Sequence, residues 1–201
     1  MEAFFHGIIL AFGLILPLGV QNLFVFNQGA TQLSVIRTLP VVITASICDT
    51  LLILLAVLGV SLVIFTFQWL KVGLLYIGFI FLLYMGWLIW NSSGSNLGQE
   101  QEKFSPQKQI VFAASVSLLN PHAIMDTIGV IGMSSLNYLG SEKWLFTGAC
   151  ILVSWCWFFG LALTGRLLGN LNQGEKFLTY LNKFSALIIW GAALYLLTGI
   201  N

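Results

Sequence analysis

Charge is what this sequence has least of. Only 7% of its 201 residues are Asp, Glu, Lys or Arg, eight basic against seven acidic, and the formal net charge is +1. A water-facing surface needs roughly a quarter or more of its residues charged, so a soluble globular domain is excluded. The even balance leaves no basic face for nucleic acid and no polybasic run for an anionic lipid surface. Cysteine is scarce too: Cys48, Cys150 and Cys156 lie in apolar segments without CxxC spacing or a histidine at ligand spacing. They read as small core or lipid-facing residues. Neither a metal nor a cofactor is expected. The opening Met1-Glu2-Ala3-Phe4-Phe5-His6 lacks a positive n-region, and no small-x-small cleavage site ends the apolar run behind it. That run is expected to persist as a membrane helix rather than be removed as a signal peptide.

What is abundant is apolar sequence, 58% of the chain. A bilayer core needs about 20 such residues per helix, and six runs qualify: 3–27, 40–67, 69–90, 110–136, 144–168 and 177–198. The sequence therefore predicts an all-α polytopic membrane protein with six transmembrane helices, Pro40 fitting the first turn of the second. One long polar stretch divides it into a first three-helix repeat (1–90), a linker (91–109) and a second three-helix repeat (110–201). An odd number of helices per half makes the second repeat enter the membrane from the opposite side, an inverted repeat. Pro17 and Pro121 lie in the first helix of each half, each followed five residues later by a polar side chain, Asn22 or Asp126. Helices 1 and 4 are accordingly expected to be broken. Arg37, Lys103, Lys108, Arg166, Lys176 and Lys183 fall on one side and Lys71 and Lys143 on the other. The positive-inside rule then puts the linker in the cytoplasm and both termini outside. Trp69, Trp87, Trp90, Trp144 and Tyr180 sit near helix ends, as interfacial anchors do.

Polar groups inside these runs locate the function. A proline break exposes backbone groups at bilayer depth, tolerated only against protein or a water-filled cavity. Asp49 and Asp126 are the only carboxylates well inside apolar runs, and neither run carries a Lys or Arg at comparable depth. The missing cation would come from outside, as a substrate, a proton, or each in turn. Two carboxylates brought together compete for a proton, which a proton-coupled carrier needs. The plainer reading leaves each acid permanently protonated against a neighbouring helix. Gln21 and Asn22 follow Pro17 and Gly19, so the second half of a broken helix would offer free N–H groups to an α-carboxylate. Asn120 before Pro121 could do the same from the other side. Interhelical polar contacts are the alternative for all three. His122 is read as a proton relay or as a cap of the broken helix, and His6 as an interfacial residue. Gly165 and Gly169 match a small-xxx-small packing pattern, which leaves a homodimer open. No Ser or Cys pairs convincingly with a base, which argues against an enzyme, and a purely structural subunit would leave the buried acids unexplained.

Five strings carry a resemblance: Leu16-Pro17-Leu18-Gly19-x-Gln21-Asn22, Asn27-Gln28-Gly29, Asp49-Thr50-Leu51-Leu52-Ile53, Asn120-Pro121-His122 with Asp126-Thr127, and Trp157-Phe158-Phe159-Gly160-Leu161-Ala162-Leu163. In these the sequence resembles the lysine exporter (LysE) family, in the branch of the lysine and arginine exporters. The resemblance implies export of arginine or lysine from a bacterial cytoplasm through the cell membrane, driven by protons, with Asp49 and Asp126 as the acidic pair. Val20 stands where the family usually has a proline, and Met125 replaces a residue that is often larger or β-branched. The first bears on the shape of the break and the second on side-chain selectivity. A neutral amino acid or a metal cation on the same fold is the alternative cargo.

Overall fold

A computed structural model of the chain describes residues 1–16, 19–32, 34–60, 68–91, 105–120, 123–124 and 127–171, and positions 180, 183–184, 186–187, 189–191 and 193–194. Every element among the described residues is helical. The break expected in the first helix is present: α1 (Glu2–Ile15) and α2 (Val20–Thr31) meet at a bend of 79°. Pro17, the residue expected to cause it, lies outside the described residues.

The second helix departs from expectation at its start. Helix α3 (Val35–Leu55) begins before Pro40 because Ser34 caps it, its Oγ accepting the Arg37 N–H at 3.4 Å. Pro40 is therefore inside the helix, where it removes one ladder donor, rather than in the first turn. The helix ends in a π-helical turn, Ala56–Val60, with Gly59 at φ 98, a backbone region that favours glycine.

Helix α4 (Gln68–Trp90) matches the third apolar run. Helix α5 (Pro106–Leu118) starts earlier than the fourth run, with Ser105 Oγ accepting from Lys108 N–H at 3.3 Å and Pro106 in the first turn. The last four residues of the expected 91–109 linker are thus helical. Buried Gln109 uses its side chain there, Nε2 donating to the Arg37 carbonyl at 3.0 Å and fixing α5 to the start of α3. After Leu119 the helix stops, and an Ile124 N–H to Asn120 carbonyl bond of 3.1 Å marks its restart. A π-helical stretch, Thr127–Gly132, and one turn, Met133–Ser135, lead to α6 (Gly140–Leu171). Among the described residues two spans, Val35–Gly59 and Gly140–Gly169, are long and apolar enough to cross a membrane, and α1 with α2 form a third if the bent pair is one span.

Helix α6 is the spine, packed along α1, α2 and α3, while α3 also packs on α5. Lipid gives helices little hydrophobic reason to associate, so close backbone approach matters most. It is concentrated at small residues. A Cβ on Gly29 would meet the Ala162 carbonyl, and Cβ atoms on Gly165 and Gly169 would meet the Phe26 and Ala30 carbonyls. The small-xxx-small pair, which the sequence left open for a dimer, is therefore occupied within the chain. Arg166 Nη1 adds a bond to the Gln32 carbonyl at the end of α2. At the other end of α6, half-buried His6 shares a 2.7 Å hydrogen bond between Nδ1 and the Tyr138 hydroxyl, and both rings lie against Phe146.

Candidate functional site

The break between α1 and α2 opens into a cavity of about 240 Å³. It lies between two apolar clusters, one containing Ala11, Ile53, Ile131 and Cys150 and the other Phe24, Ala45 and Phe158. Ligand cavities for drug-sized molecules begin near roughly 300 Å³, so this volume suits a single small metabolite.

Each polar wall is set by a local feature of the backbone. The hydrogen-bond ladder of α2 begins with Leu23 N–H to the Gly19 carbonyl at 3.0 Å, and no side chain caps Gly19. The amides ahead of Leu23 are not used within the helix, and Gly19, Val20, Gln21 and Asn22 all line the cavity. Gln21 is 8% exposed, and its Nε2 has no hydrogen-bond partner among the described residues. It is a donor available in the cavity. Asn22 is partly engaged already: its Nδ2 donates to the Ile15 carbonyl at 2.8 Å, pairing an acceptor that the end of α1 leaves open. Asn22→Ala should leave that carbonyl unpaired and cost about 1–3 kcal/mol, read as a thermal midpoint several degrees lower for the solubilised protein. An unchanged midpoint would show that the bond does not support the break.

Asp49 enters from α3. At about 1.5 Å per residue it lies about 21 Å along the helix from Val35, well inside the Val35–Gly59 span. Its carboxylate is beside the Ser154 hydroxyl of α6, which faces it without a fully formed hydrogen bond. Asn120, Ala123 and Thr127 close the cavity from the second break. The structure thus brings together Gly19, Gln21, Asn22, Asp49 and Asn120 from distant parts of the sequence. Pro121, His122, Met125 and Asp126 lie outside the described residues. Among the described residues no three His, Cys, Asp or Glu side chains form a metal-holding group. Cys48 and Cys150 are buried and Cys156 is exposed.

Among the polar lining residues, Ser154 was not singled out from sequence, while Thr127 and Cys150 were named there without a place in the site. Cys150 and Ser154 are four residues apart on α6, the spacing of one helix face. That spacing was readable, but nothing in an otherwise apolar helix said which way the face pointed. Chemically, the arrangement offers a carboxyl group, an amide donor without a partner among the described residues and a helix N-terminus within one apolar enclosure.

The family described as LysE type translocator matches residues 12–199. YisU of Bacillus subtilis (strain 168), provisionally named an amino-acid transporter, is 56% identical over 195 residues, covering 97% of this chain and 89% of that one. The arginine exporter protein ArgO of Pectobacterium carotovorum subsp. carotovorum (strain PC1) is 30% identical over 197 residues, with 96% and 95% covered. ArgO of Escherichia coli O157:H7 is 31% identical over 198 residues, with 96% and 92% covered. No solved structure matches the chain. With nearly its whole length matched, this chain belongs to the LysE type translocator family and is a transport protein rather than an enzyme.

Proposed function

We propose that the protein exports basic amino acids, arginine or lysine, from the bacterial cytoplasm across the cell membrane in exchange for protons, by alternating access to this cavity. Family membership and the arginine-exporter relatives support amino-acid export. The observation that carries the charge of the cargo is Asp49 in the same cavity as the α2 N-terminus and Gln21. An amino acid with a cationic side chain has both charges such a cavity answers: its α-carboxylate meets the N–H groups, Gln21 and Asn22, and its side chain meets the carboxylate.

In this reading Asp126 is the second acid, and His122 relays its proton or caps the restarted helix. Asn120 presents backbone to the substrate from the second break. The chain forms two inverted three-helix repeats, 1–90 and 110–201, broken at Pro17–Gly19 and at Pro121, with six transmembrane helices in all. Both termini face outside and the linker faces the cytoplasm. Export of a +1 amino acid runs against a negative-inside potential by about 2.3 kcal/mol per 100 mV. Exchange for one proton cancels that charge movement. Inward-open, the ionised acids bind the substrate cation; outward-open, a proton replaces it.

The test is counterflow of radiolabelled arginine, lysine, leucine and Cd²⁺ in proteoliposomes. Exchange of arginine or lysine with little leucine or Cd²⁺ is the expected result, and exchange confined to leucine or Cd²⁺ would overturn the substrate assignment. Gln21→Leu keeps the bulk and removes the donor. Losing a hydrogen bond to a charged group, worth about 1.5–3 kcal/mol, should raise the KM for arginine about tenfold or more. An unchanged KM would remove Gln21 from carboxylate recognition.

A further inference from the structure

Asp49 and Ser154 are neighbours in the cavity wall, and the residue following each makes a second contact outside it. Trp155 Nε1–H donates to Thr50 Oγ1 at 3.1 Å, and Thr50 Oγ1–H donates in turn to the Ser46 carbonyl at 2.7 Å. The Thr50 proton is committed to its own helix, so its lone pairs are left for the indole. Asp49 with Thr50 and Ser154 with Trp155 are consecutive pairs, which makes the α3–α6 crossing a ladder of two rungs. Only the first rung lines the cavity.

Consecutive residues on a helix point about 100° apart, so a rung outside the cavity fixes the rotation of both helices for the rung inside. The apolar contacts around the crossing cannot do this as well. Burial of apolar area is non-directional, whereas an indole N–H needs a particular acceptor in a particular place. Small rotation of α3 would carry Asp49 off the cavity wall while leaving the apolar packing nearly as good.

We propose that Trp155 is a positioning residue for transport: by holding Thr50, its indole N–H keeps Asp49 beside Ser154 in the cavity wall, so that the substrate's cationic group meets the carboxylate at a fixed place. The inference rests on the reading of basic amino-acid export given above. It concerns ground-state binding, so it affects KM before it affects the maximal rate.

Trp155→Phe keeps an aromatic ring and removes the donor. In proteoliposome counterflow the KM for arginine should rise about threefold to tenfold, the scale of one hydrogen bond, with the maximal rate per inserted protein near the parental value. Thr50→Val should reproduce the effect, Thr50→Ser should restore the parental KM, and the double variant Thr50→Val with Trp155→Phe should be no worse than either single one. A merely structural role would reduce the amount of inserted protein and leave KM alone. If Trp155→Phe does not insert, the Thr50→Val and Thr50→Ser pair supplies the same comparison. Arginine exchange by the parent with KM unchanged in the variants, or with losses that add in the double, overturns this proposal alone. Exchange of neutral amino acids only, by the parent, overturns it together with the reading it rests on.

Discussion

Asp49→Asn should abolish exchange of arginine and lysine while the protein still inserts and purifies as the parent does. The carboxylate is in the cavity wall beside Ser154, well inside the Val35–Gly59 span. Asn keeps the shape and can still hydrogen-bond, so packing along α3 is preserved. What disappears is the negative charge and the capacity to take up a proton. A cationic side chain entering an apolar enclosure without its counter-charge bears the full cost of leaving water, and uncompensated charges at membrane depth are costly. Counterflow of each basic amino acid, normalised to inserted protein, checks it. Parental exchange by Asp49→Asn would remove the residue from the transport step.

Gly165→Val should have the largest structural effect. The added Cβ would press on the Phe26 carbonyl and the Ala30 amide of α2. Both are backbone atoms in a helix buried along most of its length, so neither can swing aside as a side chain could. Overpacking against movable side chains costs about 1–3 kcal/mol, and here α2 would have to move as a unit, taking Gln21 and the open N-terminus with it. Little folded protein should be recovered, by size-exclusion profile in detergent. Gly160→Val on the same helix is the matched control, because Gly160 is exposed and a Cβ there meets nothing within 4 Å. Equal recovery of the two variants would show that the α2–α6 crossing tolerates separation.

The all-helical, membrane-type character was legible because it rests on composition: a chain with 7% charge and 58% apolar residues leaves few other solutions. The break in the first helix was legible from Pro17 and Gly19, and Asp49 from its isolation in an apolar run. The start of α3 was not, because hydropathy marks where apolar residues begin and not where a cap forms. Ser34 caps a first turn, Val35–Thr38, that the charge of Arg37 had assigned to a loop, which moved Pro40 inside the helix. Pro106–Gln109 failed in the same way, since polar residues in a first turn look like linker until Ser105 and the Gln109 bond to Arg37 are known. The contributions of Cys150 and Ser154 depend on the rotation of α6. That rotation is set by glycine contacts with α1 and α2, which are tertiary facts without a local signature. The same holds for the indole of Trp155, one of seven tryptophans in the sequence and the one that reaches Thr50.

The central claim is that a basic amino acid and a proton exchange through the cavity at Asp49. The most direct measurement is net movement of radiolabelled arginine in proteoliposomes at zero membrane potential, with arginine equal on both sides and a pH gradient imposed. Arginine should accumulate on the acidic side, the side from which protons flow, and the movement should vanish when the gradient is collapsed and in Asp49→Asn. Arginine that merely equilibrates, with no net movement under the gradient, would contradict proton exchange and leave a facilitative carrier.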